Sequence, residues 1–202
     1  MRSFSLLLAA LSFVSAPLRS FAQSPAPASP PPSFAERISL PGVPNAAKVS
    51  DQLFRGAQPE LSSLPRIKSL GVTTIVDLRL ESSKIRENER HVAESLGLRF
   101  VHIPVGGFSN PSSEQLAQFF WLVRETPLPK IFVHCQFGDD RTGVFIASYR
   151  IAFQHWSADQ ALAEMYAFGF NGYWHPSMIT FVRELPARLQ SDPTLKAALS
   201  AH

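Results

Sequence analysis

The sequence predicts an α/β fold: a central, mostly parallel or mixed sheet of about four to five strands flanked by helices. Three observations predict it. The run Val72–Leu78 (VTTIVDL) is β-branched and apolar, the composition of a buried strand. Ser112 with Gln115, and Ser157 with Gln160, have the spacing of capping boxes that open helices. Finally, short apolar runs alternate with helix-periodic segments from residue 53 onward, which favours neighbouring strands joined by helical crossovers.

The N-terminus reads as an export signal over residues 1–22. Arg2 precedes an apolar stretch from Phe4 to Ala16 that is shorter than the roughly 20 residues needed to span a bilayer. Ser20-Phe21-Ala22 offers small residues for cleavage before Gln23, so the mature chain is expected to be exported, periplasmic or extracellular, with no stable membrane span. Residues 23–45 follow as a linker, its first part (SPAPASPPPS, Ser24–Ser33) of polyproline type. The catalytic-size domain is expected over 46–192, and 193–202 as a frayed tail.

Within the domain, Leu53-Phe54-Arg55 is a short strand, followed by a helix near Leu61–Leu70 that Gly71 closes. After the strand at Val72–Leu78, Glu81–Leu96 is a charged amphipathic helix ending at Gly97, and Leu98–Val105 alternates as another strand. The helix opened by Ser112 carries Leu116, Phe119, Phe120 and Val123 on one face. Ile131–Val133 is a short buried strand, and Arg141–Gln154 has helical spacing. The helix opened by Ser157 precedes a last one that starts at Pro176 and is expected to kink or break at Pro186.

Composition excludes several functions. The single cysteine, Cys135, rules out a disulfide scaffold and a multi-cysteine zinc site. The formal charge of +3 arises from 19 basic and 16 acidic residues without a basic run. Two of the basic residues, Arg2 and Arg19, belong to the export signal, so the mature chain gives no reason to expect a nucleic-acid partner. His91, His102, His155 and His175 have no metal-ligand spacing, and neither a metal nor a cofactor is expected.

In sheets of this kind the loops at the carboxyl ends of the strands hold the ligand. That draws attention to His134-Cys135-Gln136-Phe137-Gly138-Asp139-Asp140-Arg141-Thr142-Gly143, which lies between a buried strand and a helix N-terminus. Backbone amides are unpaired there and the helix dipole is positive, so a tight loop can wrap its N–H groups around a tetrahedral oxyanion. Gln136, Phe137, Gly138, Asp139 and Asp140 would form the phosphate-binding loop, Gly138 allowing the turn. Arg141, six residues after the cysteine, would grip two phosphate oxygens with its planar fork. The same field favours the thiolate of Cys135, a nucleophile placed for in-line attack on phosphorus.

This segment, His-Cys-x5-Arg-Thr-Gly, resembles the signature of the cysteine-dependent protein tyrosine and dual-specificity phosphatases. Leu53-Phe54-Arg55-Gly56-Ala57-Gln58-Pro59, Thr74-Ile75-Val76-Asp77-Leu78-Arg79 and His155-Trp156-Ser157 are similar to segments of the atypical dual-specificity group of plants, fungi and bacteria. The resemblance covers roughly 49–185 and implies a phosphocysteine on Cys135, with transition-state stabilisation by Arg141. It also implies a hydrogen bond from Thr142 to the thiolate and a bracing role for His134 beneath the loop.

The general acid departs from the family pattern. Many members carry an aspartate on the loop after the third strand, whereas His102–Asn110 holds no carboxylate here. Asp139 and Asp140 lie inside the phosphate loop instead, and Asp140 is our candidate acid, with a purely loop-shaping role as the alternative. Arg55, Gln58 and Phe108 are candidates for the pocket rim, with plain packing as the alternative for each, and Arg79 either braces the loop or sits at the surface. The loop interior has no lysine, which favours phosphotyrosine or a similar aryl phosphoester over a multiply phosphorylated inositol. The expected partner is therefore a phosphorylated protein or small phosphoester. An inositol (pyro)phosphate or phosphoinositide phosphatase, a non-catalytic phosphate-binding module and a sulfur-transfer enzyme are the rival readings. The last gives no reason for Arg141-Thr142 and lacks a second thiol.

Overall fold

A computed structural model describes residues 33–81 and 83–200. The expected export signal and the proline-rich part of the linker lie outside these residues, as do the last two residues. The described residues begin with two short strands, β1 (Glu36–Arg37) and β2 (Ala47–Lys48), and continue through β3 (Leu53–Gly56). A 3-10 turn (Leu61–Ser63) leads into α1 (Leu64–Ser69), then β4 (Thr74–Arg79), α2 (Ser83–Ser95) and β5 (Arg99–Val105). The second half runs α3 (Ser113–Leu122), β6 (Ile131–His134), α4 (Asp140–Gln154), α5 (Ala158–Ala167), α6 (Pro176–Ser191) and α7 (Pro193–Ser200).

These strands form one mixed sheet in the order β1-β2-β3-β6-β4-β5. β3, β6, β4 and β5 are parallel, while β1 and β2 add on antiparallel. The crossover from β3 to β4 leaves a gap that β6 fills, so the C-terminal end of β6 opens between two strands at the centre of the sheet. The period-2 alternation along the strands sorts two cores. Ile75, Phe100 and Phe132 face α1 and α2 with Leu64, Ile67 and Ala93; Val76, Ile103, Ile131 and Val133 face the other helices. α4 is buried along most of its length, including the polar Arg141, Thr142, Ser148 and Arg150, which fixes the direction in which its N-terminus points.

Both capping boxes form, at Ser112–Gln115 and Ser157–Gln160. Four expectations need correction. Among the described residues the sheet has six strands rather than four to five, because β1 and β2 are two residues each, too short to show any periodicity. β1 also falls in the segment expected to be linker, so the folded unit starts before residue 46. Residues 193–200 are not a frayed tail: α7 packs on α3 and buries Leu195 and Ala198 completely. Pro186 does not break α6, which runs through it to Ser191 with Phe181, Val182, Leu185 and Leu189 buried on both sides of the proline. Tertiary packing there outweighs one lost backbone hydrogen bond. Among the described residues, no helix is long and apolar enough to cross a membrane.

Candidate active site

Cys135 follows directly on β6 and is 1% exposed, at the floor of a loop that turns into the N-terminus of α4. The backbone N–H of Gly138 donates to its Sγ at 3.3 Å, so the loop turns at least this amide inward around the sulfur. Gly138 adopts φ +76°, and a Cβ there would lie 2.5–2.6 Å from backbone atoms of Gly56 and Ala57; only glycine fits. Its carbonyl, pointing outward, accepts from Arg55 at 2.6 Å and from Asn45 Nδ2 at 3.1 Å. Arg55 is fully buried with its guanidinium 4.1 Å over the Phe168 ring, and burial brings its pKa down to about 10. It is a clamp on the outside of the loop rather than a rim residue. Gln58 joins the loop through its backbone, donating to the Gln136 carbonyl at 3.3 Å.

Beneath the cysteine lies a buried ionic network. His134 is fully buried, its Nδ1 3.2 Å from the Cys135 carbonyl and its Nε2 2.9 Å from Glu89 Oε1. Arg79 donates to both carboxylate oxygens of Asp77 at 2.8 Å and to Glu89 at 2.6 Å. Burial disfavours an imidazolium at His134, yet Glu89 and Asp77 outweigh it and hold its pKa above the ordinary value. Asp77, Glu89 and His134 have the proximity of a metal cluster, but the Arg79 guanidinium already supplies the positive charge among them. Arg79 thus braces the loop from below, one of the two roles its sequence position allowed.

The mouth of the loop is built from α4 and its neighbours. Arg141 is 6% exposed and donates through Nη1 to Glu81 at 2.7 Å and to the Val105 carbonyl at 3.1 Å, which aims the rest of the fork. Thr142 is buried, and its hydroxyl has no hydrogen-bond partner among the described residues. The two loop acids divide. Asp139 accepts from the Asp140 backbone N–H at 2.8 Å and caps α4, where negative charge suits the dipole. Asp140 instead points to the α5–α6 connection, with Oδ2 3.0 Å from His175 Nε2. Its burial and the charge on Asp139 push its pKa up, against His175 and Arg141.

At the surface, Phe137 of the loop and Phe108 are 68% and 75% exposed, and Phe108 stacks on His175 with ring centroids 5.0 Å apart. A cavity of about 380 Å³ lies beside the loop, lined by Pro44, Ala57, Gln58, Pro59, Gln136 and Phe137. Sequence reading missed Asn45, Glu81, Glu89 and His175, all of which reach the site from other elements. Only His175 left a trace, as a histidine directly before the proline that starts α6.

Over residues 43–179 the chain matches a family model described as "DSP-PTPase phosphatase fused to NAD+ Kinase". It is 32% identical over 149 residues to the dual specificity protein phosphatase TpbA of Pseudomonas aeruginosa strain UCBPP-PA14, covering 74% of this chain and 64% of that protein, so it spans less than two thirds of the relative. The crystal structure of P. aeruginosa TpbA in complex with pTyr superposes with a TM-score of 0.60 at 23% identity, over 77% of this chain and 97% of that one. The core catalytic domain of the PP-IP phosphatase SIW14 from S. cerevisiae, in complex with citrate, gives 0.62 at 20% identity, over 78% and 98%. At these identities the two structures speak for the fold.

Proposed function

The chain belongs to the DSP-PTPase family of phosphatases, and from that premise we propose that it hydrolyses phosphate monoesters through a phosphocysteine on Cys135. The observation that carries this reading is the inward amide of Gly138 on Cys135 Sγ, in a loop locked from outside by Arg55 and Asn45. A loop so held is organised for an oxyanion before one arrives, which is where electrostatic catalysis gains most. In the first step the thiolate attacks phosphorus in line, the bond to the leaving oxygen breaks, and Asp140 gives that oxygen a proton. In the second, Asp140 takes a proton from water as its oxygen attacks phosphorus and the thiolate departs. Arg141 spans the equatorial oxygens throughout, and Thr142 serves the departing sulfur.

Phosphotyrosine or another aryl phosphoester is the substrate class we favour. The loop offers no lysine to extra phosphates, and the exposed rings of Phe108 and Phe137 beside it suit an aromatic leaving group. TpbA in complex with pTyr supports the same class. Residues 1–22 would direct this enzyme out of the cytoplasm, and N-terminal sequencing of the exported protein should start at Gln23.

The test is phosphate release by the purified mature protein from phosphotyrosine peptides, phosphoserine peptides and inositol (pyro)phosphates. Release that is blocked by vanadate, indifferent to EDTA and abolished in Cys135→Ser supports the mechanism. Release from inositol pyrophosphates alone would overturn the substrate class, and tight phosphate binding without any release would leave a phosphate-reading module.

A further inference from the structure

We propose that His175 is a positioning residue for the acid step: its Nε2–H donates to Asp140 Oδ2, fixes the carboxyl group, and leaves Oδ1 to carry the proton toward the leaving oxygen. This rests on the phosphatase reading above and on Asp140 as its acid. The geometry comes from three elements. Asp140 is the first residue of α4, His175 immediately precedes α6, and Phe108 closes over the imidazole from the β5–α3 loop. Phe170 packs at 6.0 Å from the same ring. His175 is 8% exposed, so the two aromatics and the carboxylate define its orientation.

The tautomer follows from what the other nitrogen lacks. Nδ1 is buried and has no hydrogen-bond partner among the described residues. A proton on Nδ1 would be an orphaned donor, a costlier defect than a bare lone pair. The neutral ring therefore keeps its hydrogen on Nε2, facing Oδ2 at 3.0 Å. The same donor serves both half-reactions. After Asp140 has released its proton to the leaving group, the Nε2–H stabilises the carboxylate that remains, and that carboxylate is then held ready to accept the proton of the attacking water. The charged or titratable groups facing Asp140 are Asp139 and Arg141 on its own turn and His175 from the other element. Of these, only His175 comes from outside the loop, its Nε2 3.0 Å from Oδ2.

Two substitutions separate this role from packing. His175→Phe keeps a ring under Phe108 and removes the donor. His175→Gln places an amide N–H near the position of Nε2. Turnover is measured on the full mature chain with p-nitrophenyl phosphate, phenyl phosphate and phosphotyrosine, each across pH, alongside Asp140→Asn and Cys135→Ser.

For His175→Phe the expected result is an approximately tenfold or larger fall in kcat/KM, which reports the leaving-group step, on phenyl phosphate and phosphotyrosine, with p-nitrophenyl phosphate within about twofold. The alkaline limb of its kcat/KM profile should move to higher pH, since the carboxylate has lost a stabilising donor. His175→Gln should recover most of both effects. A folded His175→Phe with the leaving-group dependence and pH limb of the natural protein would overturn the proposal. So would a folded His175→Gln as impaired as His175→Phe. Should His175→Phe fail to bind vanadate or melt early, the glutamine variant alone decides. Steep leaving-group dependence in Asp140→Asn with none in His175→Phe sinks the role of His175 and spares the acid. Absence of any release by the natural protein sinks the phosphatase reading and this inference with it.

Discussion

At the residue scale, the proposed phosphate loop depends on one position that no other amino acid can fill. Gly138 combines positive φ with a closest approach of 2.5 Å to the Gly56 backbone for any added Cβ. Gly138→Ala should therefore lose phosphate release almost completely and lower stability by at least about 2 kcal/mol, read by urea unfolding. A variant with natural activity would mean that the amide at this position does not help organise the anion site. Asp140→Asn makes the complementary prediction: kcat/KM for phenyl phosphate should fall by about 10² or more while that for p-nitrophenyl phosphate, whose leaving group needs little help, changes far less. Cys135, Arg141 and the loop between them were legible in the sequence because they are contiguous and their spacing has a physical purpose. His175 was not. It stands 35 residues beyond Asp140, and nothing in a one-dimensional pattern says that the start of α6 returns to the start of α4.

At the scale of elements, the strands and helices that carry hydrophobic periodicity were readable, and the short or anchored ones were not. β1 is held by tertiary contacts rather than by its own residues. The Ala35 backbone N–H donates to Glu164 Oε1 at 2.7 Å, just ahead of the strand. Glu164 in turn accepts from Arg150 at 2.6 Å and 2.9 Å, both side chains nearly inaccessible, with the guanidinium 4.3 Å over Trp156. This pair joins α4, α5 and the N-terminal strand. Glu164→Ala leaves a guanidinium buried without its carboxylate, and should cost about 3–5 kcal/mol in denaturant unfolding. At temperatures where the variant stays folded, kcat should remain close to that of the natural protein, because the pair does not touch the proposed phosphate loop. A variant as stable as the natural protein would show that water or Gln154, which Arg150 also reaches at 2.5 Å, satisfies the charge.

At the scale of the whole molecule, the ionic network under the loop links β4, α2 and β6, and so makes global stability respond to pH. His134 has a folded pKa above its unfolded value because Glu89 and Asp77 outweigh the cost of burial. Its contribution is therefore complete below about pH 6.5 and is lost as pH rises through the raised folded value. Asp140, also raised, acts in the same direction from about pH 4 upward, since the native state holds its proton longer. Asp77 is the opposite case. Its folded pKa is depressed, burial being outweighed by Arg79 and His134, so its contribution is present above about pH 4 and vanishes as pH falls through the lower folded value. The unfolding free energy should accordingly peak in mildly acidic solution and decline toward pH 9. Urea unfolding of the natural protein, Asp140→Asn and His134→Asn at a series of pH values separates the contributions. Asp140→Asn should remove the part of the decline that begins below neutrality, whereas His134→Asn, though less stable throughout, should flatten the part above pH 6.5. A decline through neutrality that persists undiminished in His134→Asn would show that the native protein does not hold its extra proton on this histidine.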